Sequence, residues 1–194
     1  MTLIGLYGDS RCGKDTVAAT LKEYGFEQRA LADPIRDILL KMDPIVFVNQ
    51  YGSPILLSSA LGIEKDWDFI KKRHPHVVDW MIALGQGVRE HVSPDAWVQA
   101  CLRKPYSRLV ISDVRHPNEA VAVKQAGGEV WKITRPGTTP RGMDRLLDHF
   151  EFDATIDNNG TLSELAIKVD HQLWRLRVSE ADQKAADQDR DQRG

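Results

Sequence analysis

Cysteine is scarce in this sequence, with Cys12 and Cys101 as the two examples among 194 residues. They form no C-x-x-C pair, so the chain offers no disulfide framework of the kind found in small secreted proteins. A long apolar run and an N-terminal signal segment are also missing, which argues against a membrane span and against export. We therefore expect a protein of a reducing cytoplasm.

An excess of charge of one sign is missing as well. The formal net charge is -2 at pH 7, which does not favour extended nucleic-acid binding and makes a small molecule the expected partner. With 42% hydrophobic and 28% charged residues, the chain is long enough to bury the core of one α/β domain. Homodimer formation is left open.

A glycine-rich motif follows the apolar run at residues 3–7. Gly8, Gly13 and Lys14 match the pattern G-x-x-x-x-G-K-[ST], and the residues around them predict strand, loop and helix. Two glycines let the backbone curl so that N-H groups and a helix N-terminus face phosphate oxygens, which Lys14 would also reach. The alternative is a glycine-rich turn that only caps a helix. The residues expected to bind ATP are Gly8, Ser10, Arg11, Cys12, Gly13, Lys14, Asp15 and Thr16.

The motif departs from the pattern at its last position, where Asp15 replaces the usual hydroxyl and Thr16 comes one residue late. That hydroxyl normally binds Mg²⁺, and a carboxylate beside a triphosphate needs a cation or water between them. We therefore expect Asp15 to bind the metal, through water. Asp113, at the end of a predicted buried strand, is the second candidate metal ligand, with a helix cap as its alternative role.

The remaining pattern predicts strands that alternate with helices. We expect an α/β fold of three layers, with a central parallel sheet and helices on both of its faces. Helix starts are indicated by proline or a capping box, and helix ends by glycine. The predicted strands are 3–7, 26–31, 108–113, 130–133 and 154–156, and the predicted helices include 34–42, 77–84 (ending near 85–87), 93–102 and those beginning near 117 and 161.

We expect residues 1–178 to form a single domain. Residues 43–66 are poorly patterned, and residues 43–76 are predicted to form a peripheral insertion that shapes the substrate region. Residues 135–152 are polar and carry several arginines, so we predict a small lid there, with a solvated surface loop as the alternative. Residues 179–194 are almost wholly polar and are expected to be disordered.

Three arginines occur near predicted breaks in the pattern. Arg36 lies at the start of a helix after Asp33, an expected N-cap, and this position suits a substrate phosphate and a solvated arginine equally. Arg89 follows a glycine-rich break, and Arg115 follows Asp113 at the edge of a parallel sheet where ligands bind. Aromatic residues such as Trp67 and Trp97 suit either a nucleobase or the core.

These features together resemble the phage-type deoxynucleoside monophosphate kinases, relatives of adenylate kinase and dephospho-CoA kinase in the phosphate-loop superfamily. The Gly13-Lys14-Asp15 sequence is the most diagnostic element of the resemblance, and phosphomevalonate kinases of animals are similar there. The order of the further motifs adds to it: Ala32-Asp33-Pro34, Leu84-Gly85 with Arg89, Asp95 and Trp97, Ser112-Asp113-Val114-Arg115 with Asn118-Glu119, Asp148-His149 with Glu151, and Asn158-Asn159-Gly160-Thr161-Leu162.

The resemblance implies transfer of the ATP γ-phosphoryl group to a deoxynucleoside monophosphate, with Mg²⁺ as cofactor, by a viral enzyme in a bacterial cytoplasm. The acceptor phosphate has a second pKa of about 6, so it is largely ionised at neutral pH and needs no general base. Positioned cations must instead offset the charge of two polyanions. The catalytic candidates are Lys14, Arg115, Arg135 and Arg141, with Arg145 as a further lid arginine; the substrate-binding candidates are Asp33, Arg36, Arg89, Asp113, Arg115 and His149; the metal candidates are Asp15 and Asp113.

Two alternatives remain open at this point. One is a kinase of the same fold that acts on another phosphorylated small molecule, such as phosphomevalonate or dephospho-CoA. The other is a regulatory protein that binds ATP without turnover. The arginines near the predicted strand ends argue against the second alternative.

Overall fold

A computed structural model describes residues 1–64, 66–138, 146–147 and 149–191, with side chains as far as residue 176 in the last helix. None of the helices in these ranges combines the length and apolar character that a membrane span needs. The elements are β1 (Thr2–Tyr7), α1 (Lys14–Glu23), β2 (Glu27–Arg29), α2 (Asp33–Met42), β3 (Ile45–Val48), β4 (Pro54–Leu56), α3 (Leu57–Glu64), α4 (Trp67–Arg73), α5 (Pro75–His91), α6 (Ala96–Arg103), β5 (Arg108–Ile111), α7 (Pro117–Gln125), β6 (Glu129–Thr134), β7 (Ala154–Asp157) and α8 (Leu162–Asp191).

The chain divides into two compact units. The first unit comprises Met1–Gln28 and Tyr106–Gly194, and the second comprises Arg29–Pro105. The second unit is larger than the insertion expected at residues 43–76, because α2, the rest of α5 and α6 also belong to it.

A five-stranded sheet has the strand order β2-β5-β1-β6-β7. β1 pairs in parallel with β5 and with β6, and β6 pairs in parallel with β7. Parallel pairing brings the carboxyl ends of these strands to one edge of the sheet. The expected α/β fold with a central parallel sheet is therefore confirmed.

The two faces of β1 meet different helices. Ile4 and Leu6 belong to a buried cluster with residues of α1 and α8, whereas a Cβ on Gly5 would lie 3.3 Å from Val123 of α7. Alternate residues of a strand point to opposite faces of its sheet, so helices cover both faces. The principal members of the cluster are Ile4, Leu6, Val17, Leu21, Trp131, Ile133, Ile156, Leu165, Val169 and Leu173.

The second unit has its own core and a two-stranded antiparallel sheet, β3-β4. Its tight turn is held by Asn49, whose Oδ1 accepts hydrogen bonds from the N-H groups of Tyr51 (2.9 Å) and Ser53 (3.0 Å). Our interpretation of residues 43–66 as short irregular pieces missed this hairpin and α3. The buried residues of the unit are Leu39, Val46, Leu57, Ala60, Ile70 and Val77.

The predicted helix end near Gly85 is wrong, since α5 is continuous from Pro75 to His91. A Cβ on Gly85 would lie 3.2 Å from Cδ1 of Ile35, and the carbonyl of Gly85 accepts a hydrogen bond from Nε1 of buried Trp97 at 3.0 Å. Glycine in a helix costs about 1 kcal/mol relative to alanine. Because Gly85 has no side chain, residues of α2 and α6 can approach α5 closely at this point.

The last helix includes most of the polar tail. α8 runs to Asp191, and disorder from residue 179 stays a prediction. The residues after 179 include Ala, Glu, Gln and Lys, which have high intrinsic helix propensity and can continue a helix without apolar residues to bury.

Candidate functional site

Polar segments follow four parallel strands at one edge of the sheet in the first unit. In open parallel sheets this edge is where ligands bind. The segments begin with Gly8 after β1, Ser112 after β5, Arg135 after β6 and Asn158 after β7.

The loop between β1 and α1, residues 8–13, is referred to below as the glycine loop. Gly8 has φ 152° and Gly13 has φ 108°, and Arg11 between them has φ 66°. A Cβ on Gly8 would lie 2.3 Å from the carbonyl oxygen of Ile133, and one on Gly13 would lie 2.3 Å from Nδ2 of Asn158. Both positions therefore require glycine for conformation and for space.

The N-terminus of α1 presents backbone N-H groups that the helix itself does not use. Gly13 is its N-cap, with no side-chain cap among the described residues. The first helical bond runs from Val17 N to the carbonyl of Gly13 at 3.0 Å. The preceding N-H groups, those of Gly13, Lys14, Asp15 and Thr16, thus have no intrahelical partner. Together with the positive end of the helix dipole, they form a site suited to an anion.

Lys14 lies across the glycine loop. Its Nζ donates to the carbonyl oxygens of Gly8 at 2.6 Å and Asp9 at 2.8 Å. An ammonium group has three donors, and Nζ also lies 3.9 Å from Sγ of Cys12. The carbonyls hold the cation at the loop, and its remaining donor can turn to an anion.

Cys12 is a fully buried filler of the loop. Burial raises the pKa of its thiol, and this effect exceeds the lowering effect of the Lys14 ammonium nearby. The thiol is therefore held in its neutral form.

The two metal candidates are in the first unit. Asp15 is exposed in the first turn of α1, and Asp113 is partly buried just after β5. Within the described residues, no cluster of three or more His, Cys, Asp or Glu side chains could cage an ion.

Buried Glu119 shapes the turn that carries Arg115. Its Oε2 accepts hydrogen bonds from the backbone N-H groups of Arg115 (2.8 Å) and His116 (2.9 Å). The side chain of Arg115 is exposed. His116 and Glu119 form a capping box at the start of α7, which the sequence did not reveal because histidine is an unusual N-cap.

The segment after β6 is linked to the glycine loop. Thr138 Oγ1 lies 3.0 Å from Oδ2 of Asp9 and 2.8 Å from the carbonyl of Arg135. At its other end, Phe152 stacks on Tyr7 of β1 with ring centroids 5.1 Å apart. The lid candidates Arg135 and His149 are exposed. Arg141, Arg145 and Asp148 lie outside the described residues.

In the second unit, Asp33, Arg36 and Trp67 form the group called here the Arg36 cluster. Nη1 of Arg36 donates to Oδ1 of Asp33 at 2.8 Å, and the guanidinium lies over the Trp67 ring at 5.9 Å. Nε of Arg36 is buried and has no hydrogen-bond partner in the described part of the chain. Arg89 lies in the last turn of α5.

The expected N-cap role of Asp33 is wrong. The N-cap of α2 is Ala32, and Asp33 is the first helical residue. Its Oδ2 instead accepts from the N-H of Ala30 at 2.8 Å, outside the helix. The carboxylate is thereby fixed in position for Arg36.

Several residues of the candidate site were missed from the sequence: Asp9, Thr138 and Asn158. Asn158 is buried and donates through Nδ2 to the carbonyl of Cys12 at 2.8 Å. The Asn158-Asn159-Gly160 turn was visible in the sequence, but contacts between segments more than a hundred residues apart have no local signal.

The order of β1, glycine loop and α1 matches the phosphate-loop signature of a strand, a G-x-x-x-x-G-K-[ST] loop and a helix, except that Asp15 stands at the last position of the motif. No family model matches the chain. The chain is similar to a protein of Acanthamoeba polyphaga mimivirus named "Putative deoxynucleotide monophosphate kinase", at 28% identity over 185 residues, which covers 84% of this chain and 92% of that protein.

The solved structures that align with this chain include two kinases. Dephospho-CoA kinase from Campylobacter jejuni aligns over 93% of this chain and 100% of its own, at 14% identity and a TM-score of 0.44. Shikimate kinase from Aquifex aeolicus aligns over 91% of this chain and 98% of its own, at 13% identity and a TM-score of 0.42. The substrates in these names belong to those proteins.

Proposed function

We propose that this protein is a nucleotide kinase that transfers the γ-phosphoryl group of ATP to a deoxynucleoside monophosphate. The observation that carries the proposal is the glycine loop: α1 begins there with N-H groups that no side chain caps, and the Lys14 ammonium is held by two carbonyls of the loop. An anion gains more from these positive groups than a neutral or cationic ligand does. The name of the mimivirus relative supports phosphoryl transfer and supplies the acceptor class.

Catalysis in this proposal depends on positively charged groups placed around the phosphates. The acceptor phosphate is already ionised near neutral pH, so no side chain has to remove a proton. Lys14 neutralises the β- and γ-phosphates, and Arg115, Arg135 and Arg141 are the cations proposed to stabilise the transferring group. Asp15 and Asp113 would hold Mg²⁺, which would supply further positive charge to the phosphate groups of ATP. Exclusion of water from the site would protect ATP from hydrolysis.

We propose that side chains, rather than backbone N-H groups, bind the acceptor nucleotide. Arg36 is held by Asp33 and Trp67, so its guanidinium is preorganised for a phosphate. Asp33, Arg89, Asp113 and His149 remain further substrate-binding candidates. We place the reaction in the cytoplasm.

The experiment is an assay of ADP formation from ATP and Mg²⁺ with single acceptors. The panel contains dAMP, dGMP, dCMP and dTMP, their ribose forms, phosphomevalonate and dephospho-CoA, beside a reaction without acceptor. We expect stimulation by one or more deoxynucleotides. Stimulation by phosphomevalonate or dephospho-CoA alone would move the protein to another acceptor class.

Lys14→Ala and Lys22→Ala are the matched variants for this assay. Lys22 is an exposed lysine in the last turn of the same helix, away from the glycine loop. We expect Lys14→Ala to lower turnover by roughly two to three orders of magnitude, as for loss of a charge-stabilising group, with an unchanged circular dichroism spectrum. Lys22→Ala should retain wild-type activity. Near-normal turnover in Lys14→Ala would show that the glycine loop does not bind the ATP phosphates as proposed.

A further inference from the structure

Asn158 is a buried polar residue at the end of β7 that the proposed chemistry does not use. Its backbone N-H donates to the carbonyl of Thr134 at 2.7 Å, so its main chain is fixed against the end of β6. Its side chain is 8% exposed. A buried amide in a fixed backbone position can act as a rigid support for whatever it touches.

What Asn158 touches is the glycine loop. Nδ2 donates to the carbonyl oxygen of Cys12 at 2.8 Å, and the same atom lies 2.3 Å from the position of a Cβ on Gly13. The amide therefore has two effects. It fixes the direction of the Cys12 carbonyl, and it occupies the space that a side chain at position 13 would need.

The Cys12 carbonyl and the Gly13 N-H belong to one peptide unit. In a trans peptide these two groups point in opposite directions, and the described chain has no cis peptide bonds. When Asn158 binds the carbonyl, the Gly13 N-H must point away from Asn158. This N-H is among those at the start of α1 that lack an intrahelical partner.

Without this bond the peptide unit has an alternative orientation. Gly13 is the residue that follows the unit, and glycine populates both signs of φ, so rotation of the unit meets little resistance from its own backbone. The rotated unit would turn a carbonyl oxygen, instead of an N-H, toward a bound anion.

We infer that Asn158 is a positioning residue for the phosphate donor: it holds the Cys12-Gly13 peptide so that the Gly13 N-H faces the phosphates of ATP. The inference rests on the proposed function in one respect, that the glycine loop binds ATP. It adds a residue from the far end of the chain to that site.

The test compares three variants. Asn158→Ala removes the donor, and Asn158→Asp replaces it with an acceptor of the same shape. Asn159→Asp makes the same chemical change at the next residue, whose side chain is exposed and accepts a bond from Lys168 at 3.3 Å. ADP is titrated into each protein in a calorimeter, and thermal melting checks that each variant is folded.

We expect ADP to bind about tenfold more weakly to Asn158→Ala and weaker still to Asn158→Asp, as for loss of a hydrogen bond that orients a charged ligand. Asn159→Asp should remain within about twofold of wild type, as for a typical surface substitution. In steady-state assays, Asn158→Ala should raise KM for ATP and leave KM for the acceptor unchanged.

The Gly13 amide gives a direct signature in ¹H-¹⁵N spectra. In wild type its resonance should move strongly when ADP binds, and in Asn158→Ala this movement should be lost or much reduced. Variants that melt at a lower temperature but keep both wild-type ADP affinity and the Gly13 response would overturn the inference, because Asn158 would then be merely structural.

The same experiments distinguish failure of the proposed kinase function from failure of the inference about Asn158. If wild type binds ADP with the Asn158 dependence but phosphorylates no nucleotide, the kinase proposal falls and the inference stands. If wild type binds no ADP or ATP, both fall together.

Discussion

The glycine loop and the Arg36 cluster orient their polar groups by different means. In the glycine loop the main chain provides most of these groups: N-H groups at the N-terminus of α1 form the proposed anion site, and two backbone carbonyls bind Lys14. In the Arg36 cluster, side chains do it: a carboxylate and an indole hold a guanidinium.

The difference determines which substitutions each region can accept. A main-chain site fails when a side chain is added, because its shape depends on empty space and on φ values that other residues avoid. A side-chain site fails when the chemistry of one group changes, while its backbone remains ordinary. The predictions below test this distinction, beginning with the largest expected effect.

Gly13→Ala should abolish nucleotide binding. The added Cβ would lie 2.3 Å from Nδ2 of Asn158 at φ 108°, so the loop has to distort, at a cost of roughly 1–3 kcal/mol for backbone strain alone. Calorimetric titration with ADP measures the binding and urea unfolding measures the stability.

The matched control for that variant is Gly62→Ala. Gly62 lies within α3, and a Cβ there would meet no atom within 4 Å. Alanine should stabilise the helix by about 0.5–1 kcal/mol. If Gly13→Ala bound ADP as wild type does, the main-chain description of the glycine loop would be wrong.

Arg36→Lys should weaken acceptor binding while sparing ATP. Lysine keeps the charge but loses the planar fork that binds Asp33 and stacks on Trp67. We expect KM for the nucleotide acceptor to rise about 10- to 100-fold, the range for loss of a charged hydrogen bond, with KM for ATP unchanged.

Arg73→Lys serves as the control for Arg36. Arg73 is in the same unit and pairs with Glu64 at 3.5 Å in a more exposed position, so its replacement should leave both KM values at wild-type level. An Arg36→Lys enzyme with normal acceptor KM would show that the cluster is only structural.

The same contrast explains what could be predicted from the sequence. The order of strands and helices around the glycine loop was correct, since the constraints there are local: apolar residues in β1, glycines at 8 and 13, and a helical pattern afterwards. The capping box of Thr161 and Glu164 was predicted for the same reason and is present, with Glu164 accepting from Thr161 N at 2.7 Å.

Other features depend on tertiary contacts. The sequence left Arg36 equally suited to solvent and to phosphate, because neither its partner Trp67 nor its buried Nε can be inferred from spacing. Gly85 indicated a helix end, but α5 continues past this residue, which packs against Ile35 and accepts a hydrogen bond from Trp97. The link from Asn158 to Cys12 joins residues 146 positions apart, which no window along the chain can detect.

Thr138→Val tests whether the glycine loop needs this side-chain support. The substitution removes the hydroxyl that lies 3.0 Å from the Asp9 carboxylate and nearly preserves shape. We expect a loss of about 0.5–1.5 kcal/mol in stability, seen in urea unfolding, and a modest rise in KM for ATP.

Thr155→Val is the comparison for Thr138, because Thr155 is an exposed threonine on β7 in the same unit. It should be close to neutral, or slightly stabilising, since valine suits a strand. Equal effects at the two threonines would mean that the Thr138-Asp9 link contributes nothing specific.

The smallest effect concerns pH and lies in the second unit, where side chains dominate. The His74 ring stacks on Phe47 with centroids 5.1 Å apart. Burial lowers the pKa of His74 from 6.5, the positive charges of His76 and Arg73 lower it further, and Glu64 opposes them. The unfolded chain therefore binds the proton more readily than the folded one, and stability falls as the pH drops through 6.5 toward the lower folded pKa. Urea unfolding at about pH 7.5 and about pH 5.5 measures this slope, which should be shallower in His74→Gln; an identical slope would assign the pH dependence to other groups.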